Sequence, residues 1–292
     1  AVKAYHITLT KPTLEDARDD LTRVRDALRE QYPYINKEIT ADFKVLKTLS
    51  EVLRLGKWEV TVYLLYDQKI IRVVPGEVSE IYGVAIDIGT TTVAAYLCEL
   101  KSGKLLQTAS MMNPQVRYGD DVLARVSYCN TNENGLEQLQ SVLVEGLNSL
   151  IQKMCESQGI HSEDVAEAVL VFNTVMEHIA LGLPPKYIGV SPFTSTTAQG
   201  IDLMPREIGL QILESGNIHC LPSEAGFVGA DNVAVLIAEE PYKEEEKMKL
   251  IIDIGTNSEI CLGNKNKLYT TSCATGPALE GAQIKCGMRA AK

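Results

Sequence analysis

The pentapeptide Ile-Asp-Ile-Gly-Thr occurs twice in this chain of 292 residues, at positions 86–90 and 252–256. Each copy follows a short apolar run and leads through a polar turn into a second apolar run. The flanks also match, since KSGKLLQTAS follows the first copy and NKNKLYTTS follows the second. Both units are therefore predicted to fold as strand, turn, strand, tight turn and strand. The copies lie too far apart for a solenoid repeat, so they predict two duplicated α/β halves that face each other across a cleft.

The turn at the centre of each copy has the residues of a phosphate-binding loop. Gly89 and Gly255 lack the Cβ atom that would block a close approach, and successive backbone N–H groups in such a turn can converge on an anion. A single turn of this kind is weak support for phosphate binding, because Asp and Gly are ordinary turn residues. Two copies with matching flanks are much stronger support. The predicted nucleotide contacts are Gly89, Thr90, Thr91, Thr92, Gly255, Thr256 and Asn257.

The carboxylate in front of each turn predicts a magnesium site. Asp87 and Asp253 would repel a phosphate directly, but a carboxylate held beside phosphate suits Mg²⁺, usually through the water shell of the metal. The sequence thus predicts one nucleotide with its Mg²⁺, clamped by two hairpins. The alternative is that two unrelated hairpins happen to turn with the same residues.

The composition argues against several classes of protein. Thirty-eight acidic and twenty-eight basic side chains give a net charge of −10, which disfavours a general nucleic-acid binder because phosphate would be repelled. No apolar run reaches the ~18 residues of a membrane span and no signal-peptide layout is present, so a cytoplasmic protein is predicted. The seven cysteines are scattered and lack CxxC spacing. They therefore predict free thiols, and neither a zinc knuckle nor an iron–sulfur loop.

Two helices and a hairpin are predicted near the start of the chain. The stretch 13–31 repeats apolar residues at three- and four-residue steps, which predicts an amphipathic helix with Pro12 and Thr13 as its start signals. A second helix is predicted over 42–55. Two strands joined at Asp67–Gln68 then predict a hairpin on which the helices pack.

A domain boundary is predicted at 75–83, where polar and turn residues interrupt the strand pattern. Residues 1–80 are therefore assigned to a small α+β domain. Strands and helices alternate after the boundary, so residues 83–292 are assigned to an α/β nucleotide-binding domain. Its first half is predicted over 83–249, and its second half starts in 250–292.

Three further residues are candidates for the cleft, each with a structural alternative. Asp231 follows a glycine-rich turn that can bring its carboxylate into the cleft to orient water or Mg²⁺, but Asp is also a common helix N-cap. Asn173 ends a buried strand and opens a helix, so its amide could face the cleft or only cap the helix. Gly276 precedes Pro277 at a predicted helix start whose N–H groups could face the phosphates or have a purely structural role.

Other polar residues carry weaker predictions. His178 has no second ligand at metal spacing, so a metal site there is disfavoured. Arg117, Asp120 and Asp121 lie in one polar loop that could serve the cleft or the surface that meets a partner protein.

Four longer motifs resemble those of a known family: MNPQVRYGDDVLARV at 112–126, FNTVMEHIALGL at 172–183, GFVGADNVA at 226–234 and CATGPALEGAQIKCGMRAA at 273–291. With the twin hairpins, they are similar to the reductive activators of corrinoid proteins. That family lies in the ATPase superfamily of actin, the sugar and acetate kinases and the seventy-kilodalton heat-shock chaperones. The resemblance implies an actin-like, ribonuclease-H-like ATPase domain, with its second half incomplete in this chain. The preceding eighty residues resemble the middle domain of the family.

The resemblance also implies an activity. ATP binding and hydrolysis, with Mg²⁺, would assist the transfer of one low-potential electron to the cobalt of a corrinoid protein, which returns from inactive Co(II) to methyl-accepting Co(I). Asp87, Asp231 and Asp253 are the candidate catalytic residues. The electron would come from an iron–sulfur cluster, [2Fe–2S] or another type, for which this sequence has no cysteine-rich segment. The chain is therefore interpreted as a fragment, expected to be inactive alone. Its expected partner is the corrinoid protein of a methyltransferase system, and homodimer formation is left open.

Two other functions suit the same hairpins. One is a kinase of a small molecule. The other is a module without enzymatic activity, in which a nucleotide only sets the angle between the two halves. The fold alone does not separate these functions, because function lies in the sites that a fold carries.

Overall fold

The computed structural model describes residues 1–255, 257–273 and 275, and its first eighty residues form an α+β unit. The elements of this unit are β1 (Val2–Thr8), α1 (Asp20–Gln31), β2 (Thr40–Ala41), α2 (Phe43–Leu55), β3 (Glu59–Leu65) and β4 (Lys69–Pro75). The strands form one sheet of order β1-β3-β4-β2, and both helices pack on it through a shared apolar core.

The second helix and the hairpin form as the sequence predicted. Helix α2 begins after Asp42, whose side chain accepts a hydrogen bond from the backbone N–H of Lys44, and it ends at Gly56. Strands β3 and β4 pair antiparallel, and their turn holds Tyr66 and Asp67 at positive φ. Strand β1 was not predicted. It pairs antiparallel with β3 along its whole length.

The predicted start of the first helix is wrong. Helix α1 has Asp19 as its N-cap, so it begins well after the predicted start at 12–13. The Asp16 carboxylate lies 2.7 Å from the buried guanidinium of Arg23, and this ion pair holds the preceding segment outside the helix. Leu14, predicted on the apolar face, is 99% exposed.

A six-stranded sheet forms the centre of the α/β unit that follows. Its strands are β5 (Tyr82–Ile88), β6 (Thr92–Glu99), β7 (Lys104–Met112), β8 (Val165–Phe172), β9 (Ile201–Leu203) and β10 (Asn217–Cys220). Their order is β7-β6-β5-β8-β10-β9. Strand β8 pairs parallel with β5 and β10, whereas β6 pairs antiparallel with β5 and β7.

Five helices accompany this sheet: α3 (Val122–Thr131), α4 (Gly135–Ser157), α5 (Thr174–Ala180), α6 (Pro205–Ile208) and α7 (Ala230–Glu239). The long helix α4 buries Leu143, Leu147 and Ile151 against sheet residues such as Ile86 and Phe172. Each fully buried side chain of this size stabilises the fold by roughly 1.5–3 kcal/mol relative to an exposed one. No helix in the described part of the chain is long and apolar enough to cross a membrane.

A second, smaller sheet repeats the strand pattern of the first. It consists of β11 (Lys249–Ile254), β12 (Ser258–Asn264) and β13 (Lys267–Cys273), all antiparallel. The first unit has the same arrangement in β5, β6 and β7, with the short turn of each copy of the repeat between its first two strands. The predicted pair of strand–turn–strand–turn–strand units is thus confirmed.

One buried carboxylate joins the first eighty residues to the α/β unit. The side chain of Asp42 is 3% exposed, and its Oδ2 lies 3.0 Å from Nζ of Lys69 and 3.1 Å from Nη2 of Arg206. Burial alone would raise the pKa of Asp42, but hydrogen bonds from Arg206, the Lys44 backbone and Lys69 lower it to about 2. The charged form of this carboxyl therefore stabilises the contact.

We expect Asp42→Asn to lower the free energy of unfolding by about 2 kcal/mol at pH 7, measured by urea denaturation. Because the pKa of Asp42 is lower in the folded state, its contribution is complete above about pH 4 and is lost as the pH falls toward 2. The difference between parent and variant should therefore shrink at pH 3. The control is Glu214→Gln, which removes the exposed partner of Lys44 and should cost less than about 0.5 kcal/mol. Equal losses in the two variants would contradict the assignment.

Candidate functional site

A cleft of about 270 Å³ lies between the turns of the two repeated units. It is lined by Asp87, Gly89, Thr90, Thr91, Thr92, Asn173, Asp231, Asp253, Ile254, Gly255, Asn257 and Glu259. Every described residue that the sequence predicts for the nucleotide, the metal or catalysis is on this wall. Thr256 and Gly276 lie outside the described residues. The roles of all these residues in binding stay predictions.

The two turns are too tight for a side chain at their glycines. A Cβ atom on Gly89 would lie 2.6 Å from the carbonyl oxygen of Thr92, well inside van der Waals contact. A Cβ atom on Gly255 would lie 2.9 Å from the carbonyl oxygen of Asn257. Each turn therefore presents backbone to the cleft, as a loop that approaches phosphate closely must.

Asn173 both caps helix α5 and faces the cleft, the two positions that the sequence left open for its amide. Its Oδ1 accepts a hydrogen bond from the backbone N–H of Met176 at 3.0 Å, so it caps α5. Its Nδ2 donates to Oγ1 of Thr90 at 3.0 Å, across the sheet from the first turn. The amide thus fixes the Thr90 hydroxyl at the edge of the cleft, where strand β8 ends.

Asp231 lies in the first turn of α7 and is not its N-cap. The cap position is Gly229, and Oδ1 of Asp231 accepts a hydrogen bond from the backbone N–H of Asn232 at 2.8 Å. The carboxylate lines the cleft close enough to Asp253 for the two charges to repel each other. Burial, followed by this repulsion, raises the pKa of Asp231.

The surroundings of Asp87 oppose the ionisation of its carboxyl group. Its side chain is exposed to the cleft. Desolvation by the protein around the cleft, and then the charges of Asp231 and Asp253, raise its pKa to about 6. The three carboxyl groups come from β5, α7 and β11, so the fold forces them together.

Glu259 is a fourth carboxyl of the cleft, and the sequence analysis missed it. It is the cross-strand neighbour of Asp253, is 7% exposed, and accepts a hydrogen bond from Oγ of Ser272 at 2.9 Å. Burial, followed by the charges of Asp231 and Asp253, raises its pKa to about 7 against the hydrogen bond from Ser272. The signal was a charged residue inside the second strand of the repeat, where the first copy has Val93.

The remaining polar candidates lie off the cleft wall. Asp121 caps α3 by accepting a hydrogen bond from the backbone N–H of Ala124 at 2.7 Å, and the Arg117 guanidinium lies 4.9 Å from the ring centroid of Tyr118. Both ring nitrogens of His178 contact the backbone, Nδ1 at the carbonyl of Thr174 and Nε2 at the N–H of Thr196. His178 is therefore a structural residue of the α5 region.

Sequence models of one protein family match almost the whole chain. The RACo linker region matches residues 1–80, the RACo middle region matches residues 82–244, and the C-terminal domain of RACo, described as the ASKHA domain, matches residues 247–292. ASKHA denotes the superfamily of acetate and sugar kinases, heat-shock chaperones and actin. This match, with the mixed α/β architecture, confirms the predicted actin-like fold class.

Two relatives with similar sequences have names that refer to corrinoid proteins. The corrinoid activation enzyme RamQ of Eubacterium limosum is 37% identical over 290 residues, which are 99% of this chain and 47% of RamQ. The [Co(II) methylated amine-specific corrinoid protein] reductase of Methanosarcina barkeri is 24% identical over 218 residues, 72% of this chain and 39% of that protein.

A solved structure titled "Reductive activator for corrinoid,iron-sulfur protein" has a TM-score of 0.85 and 35% identity, and it covers 100% of this chain and 46% of its own. The chain spans about half the length of the relatives it matches. The resemblance predicted from the sequence motifs is confirmed for the family, but the first eighty residues match its linker region and not the predicted middle domain. Because the middle-region model alone matches more than half of the chain, this protein belongs to the RACo family.

Proposed function

We propose that the intact protein is an ATP-dependent reductive activator, which returns the cobalt of a corrinoid protein from Co(II) to Co(I) in support of methyl transfer. The observation that carries this proposal is the cleft in which two glycine turns and three aspartates of a RACo-family chain meet. The names of the relatives, corrinoid activation enzyme and Co(II) corrinoid protein reductase, support the substrate class.

Backbone and hydroxyl groups of the cleft suit the phosphates of ATP. Thr90, Thr91 and Thr92 lie on one side, and Gly255 and Asn257 lie on the other. Thr256 and Gly276 complete the proposed set of nucleotide contacts. A ligand that contacts both turns holds the two repeated units at one separation, as a nucleotide clamp requires.

No three carboxylates among the described residues are placed to hold a metal ion directly, but the acidic side chains of the cleft suit Mg²⁺ bound through its water shell. Asp87, Asp231 and Asp253 are hard oxygen ligands that repel one another, so a divalent cation among them removes an electrostatic cost. We propose that Asp87 and Asp253 hold the ion through its water shell. When bound, Mg²⁺ neutralises the charge that develops on the phosphates. Asp231 orients the attacking water and accepts its proton.

The electron transfer itself needs groups beyond this chain. We propose that an iron–sulfur cluster elsewhere in the intact protein supplies one electron, which reduces Co(II) to Co(I) in a corrinoid protein of a methyltransferase system, while ATP hydrolysis provides the free energy. We expect this to happen in the cytoplasm, where the six described cysteines, all free thiols, remain reduced. Light scattering of the intact protein will decide whether it works as a homodimer.

The direct test mixes the intact protein, Mg-ATP, a low-potential reductant and a Co(II) corrinoid protein, and follows the cobalt absorbance. We expect Co(I) to form faster with ATP than with the reductant alone. ATP-independent Co(I) formation, or phosphorylation of a sugar or carboxylate in place of cobalt reduction, would refute the proposed function.

In the intact protein, Asp253→Ala should slow Mg-ATP hydrolysis at least about tenfold, because the residue positions the metal beside developing phosphate charge. Its melting temperature should not fall, since a cleft carboxylate contributes little to packing and this one repels its acidic neighbours. The control is Asp26→Ala, which removes an exposed carboxylate that pairs with Arg18 within the chain's first unit. Hydrolysis within twofold of the parent would rule out this role for Asp253.

Asp87→Asn should stabilise the metal-free protein at pH 8. The pKa of Asp87 is raised from 3.8 to about 6 in the folded state, so its cost is small below about pH 4, grows as the pH rises from 4 to 6 and is complete above pH 6. Because water in the cleft screens this charge, we expect a gain on the order of 1 kcal/mol, or about 2–4 °C in melting temperature in EDTA. Saturating Mg-ATP should reverse the order by stabilising the parent more. A variant less stable than the parent in EDTA at pH 8 would contradict the repulsion argument.

A further inference from the structure

Three successive carbonyl groups of the first glycine turn are held from behind by two buried residues. Nδ2 of Asn113 donates to the carbonyl of Gly89 at 2.8 Å, and the backbone N–H of Asn113 donates to that of Thr91 at 2.8 Å. Between them, Nη2 of Arg125 donates to the carbonyl of Thr90 at 2.5 Å. We call Asn113 and Arg125 the clamp pair. Both are 0% exposed.

The clamp pair fixes the direction of the backbone N–H groups in the turn. In a trans peptide the carbonyl of one residue and the N–H of the next point in opposite directions. Carbonyls 89, 90 and 91 are turned toward the clamp pair, so the N–H groups of Thr90, Thr91 and Thr92 are turned away from it. These are the N–H groups that the sequence predicts for phosphate, and their residues line the cleft.

The guanidinium of Arg125 also brings a positive charge behind the turn. Besides Thr90, it donates to the carbonyl of Gly119 at 3.0 Å, to Oε1 of Gln115 at 3.2 Å and to Sδ of Met176 at 3.0 Å. None of these four acceptors carries a negative charge. Burial lowers the pKa of Arg125 to about 10, against the charges of Asp121 and Asp120, so the group stays protonated at pH 7. An anion on the cleft side of the turn would face this charge.

The clamp pair is itself anchored in the body of the α/β unit. Oδ1 of Asn113 accepts a hydrogen bond from the backbone N–H of Gln115 at 2.9 Å. Nε2 of Gln115, also fully buried, donates to the carbonyl of Leu139 in α4 at 2.9 Å. The position of the turn is thus fixed by a connection to α4, the longest helix among the described residues, as well as by the two strands that flank the turn.

We propose that Asn113 and Arg125 are positioning residues, which hold the turn 89–92 in its phosphate-binding conformation and place a buried cation behind the bound phosphates. This assigns a role to part of the motif at 112–126, which does not line the cleft. The inference rests on the proposed binding of ATP. Neither residue touches the nucleotide, and both act through the backbone of the turn.

The test uses the intact protein and four variants. Arg125→Met removes the donors at similar length, Arg125→Lys keeps the charge with fewer donors, and Asn113→Asp replaces the donor to Gly89 with an acceptor. The control is Arg23→Met, because Arg23 is also buried, at 2% exposure, and its hydrogen bonds to other described residues lie within the first unit, at Thr10 and Asp16. Mg-ATP affinity is measured by calorimetry, and backbone amide exchange of residues 89–93 by mass spectrometry.

Arg125→Met should weaken Mg-ATP binding at least about tenfold, since hydrogen bonds that involve a charged group are the strong ones. Amide exchange in the turn should accelerate, and the KM for ATP should rise with the dissociation constant while the KM for the corrinoid protein is unchanged. Arg125→Lys should recover part of the affinity. Arg23→Met should lower the melting temperature but leave ATP affinity within twofold of the parent.

The outcomes separate this inference from the proposed function. A parent protein that does not bind Mg-ATP would refute the proposed function. A parent that binds, with Arg125→Met equally tight, would overturn the positioning role alone, and so would an equal loss of affinity in Arg23→Met. If Arg125→Met does not fold, Asn113→Asp decides: unchanged affinity and unchanged exchange in the turn would overturn the proposal.

Discussion

Four carboxyl groups face one cleft, and the repulsion between their negative charges is an unfavourable interaction that the rest of the fold has to offset. Asp87, Asp231, Asp253 and Glu259 come from different elements, and the pKa values of Asp87 and Glu259 rise to about 6 and about 7 because burial and neighbouring charges oppose ionisation. Such an arrangement costs free energy, and the packing of the sheets and helices has to offset it. Under the proposed function, this loss of stability is the cost of a site that binds a cation and phosphates.

The two-residue period of a strand explains how β5 contributes to both the core and the cleft. In β5, Ile86 and Ile88 are buried at 1% and 0% exposure, so Asp87 between them must face the other side of the sheet. The parallel neighbour β8 ends beside it and delivers Asn173 to the same place. Ligands of α/β sheets bind at the carboxyl ends of parallel strands for this reason. The apolar alternation that stabilises the sheet is what directs the acidic side chain into the cleft.

The parts of the site that could be predicted from the sequence are those with a local cause. The turn glycines and Asp87 are recognisable because a tight turn and a two-residue strand period need only neighbouring residues. Arg125 was not predicted, since its contact with Thr90 spans 35 residues and depends on how α3 packs behind the hairpin. Glu259 was missed because its burial beside Asp253 is a cross-strand property.

The same distinction accounts for the first helix of the chain. The apolar period of 13–31 is a local signal and predicts a helix correctly over its later part. Its start was misplaced because Asp16 is drawn to the guanidinium of Arg23, a tertiary ion pair that outweighs the weak helix propensity of a single turn. Strand β1 was overlooked because its buried residues, Val2, Tyr5 and Ile7, do not keep a two-residue period, and its partner β3 follows two helices later in the sequence.

The two turns are supported by different parts of the fold, and this bears on how a nucleotide would bridge them. The first turn is tied to α4 through Asn113, Gln115 and Leu139, whereas the second joins β11 and β12 of the three-stranded sheet, where Oγ1 of Thr275 donates to the carbonyl of Gly255 at 2.9 Å. A ligand shifts a conformational equilibrium only by its difference in affinity for the two states. Under the proposed function, phosphate contacts made with both turns would supply that difference, because a ligand that bridges the turns binds best at one separation between them. A single turn would bind the nucleotide equally well at any separation, so the proposed clamp uses both copies of the repeat.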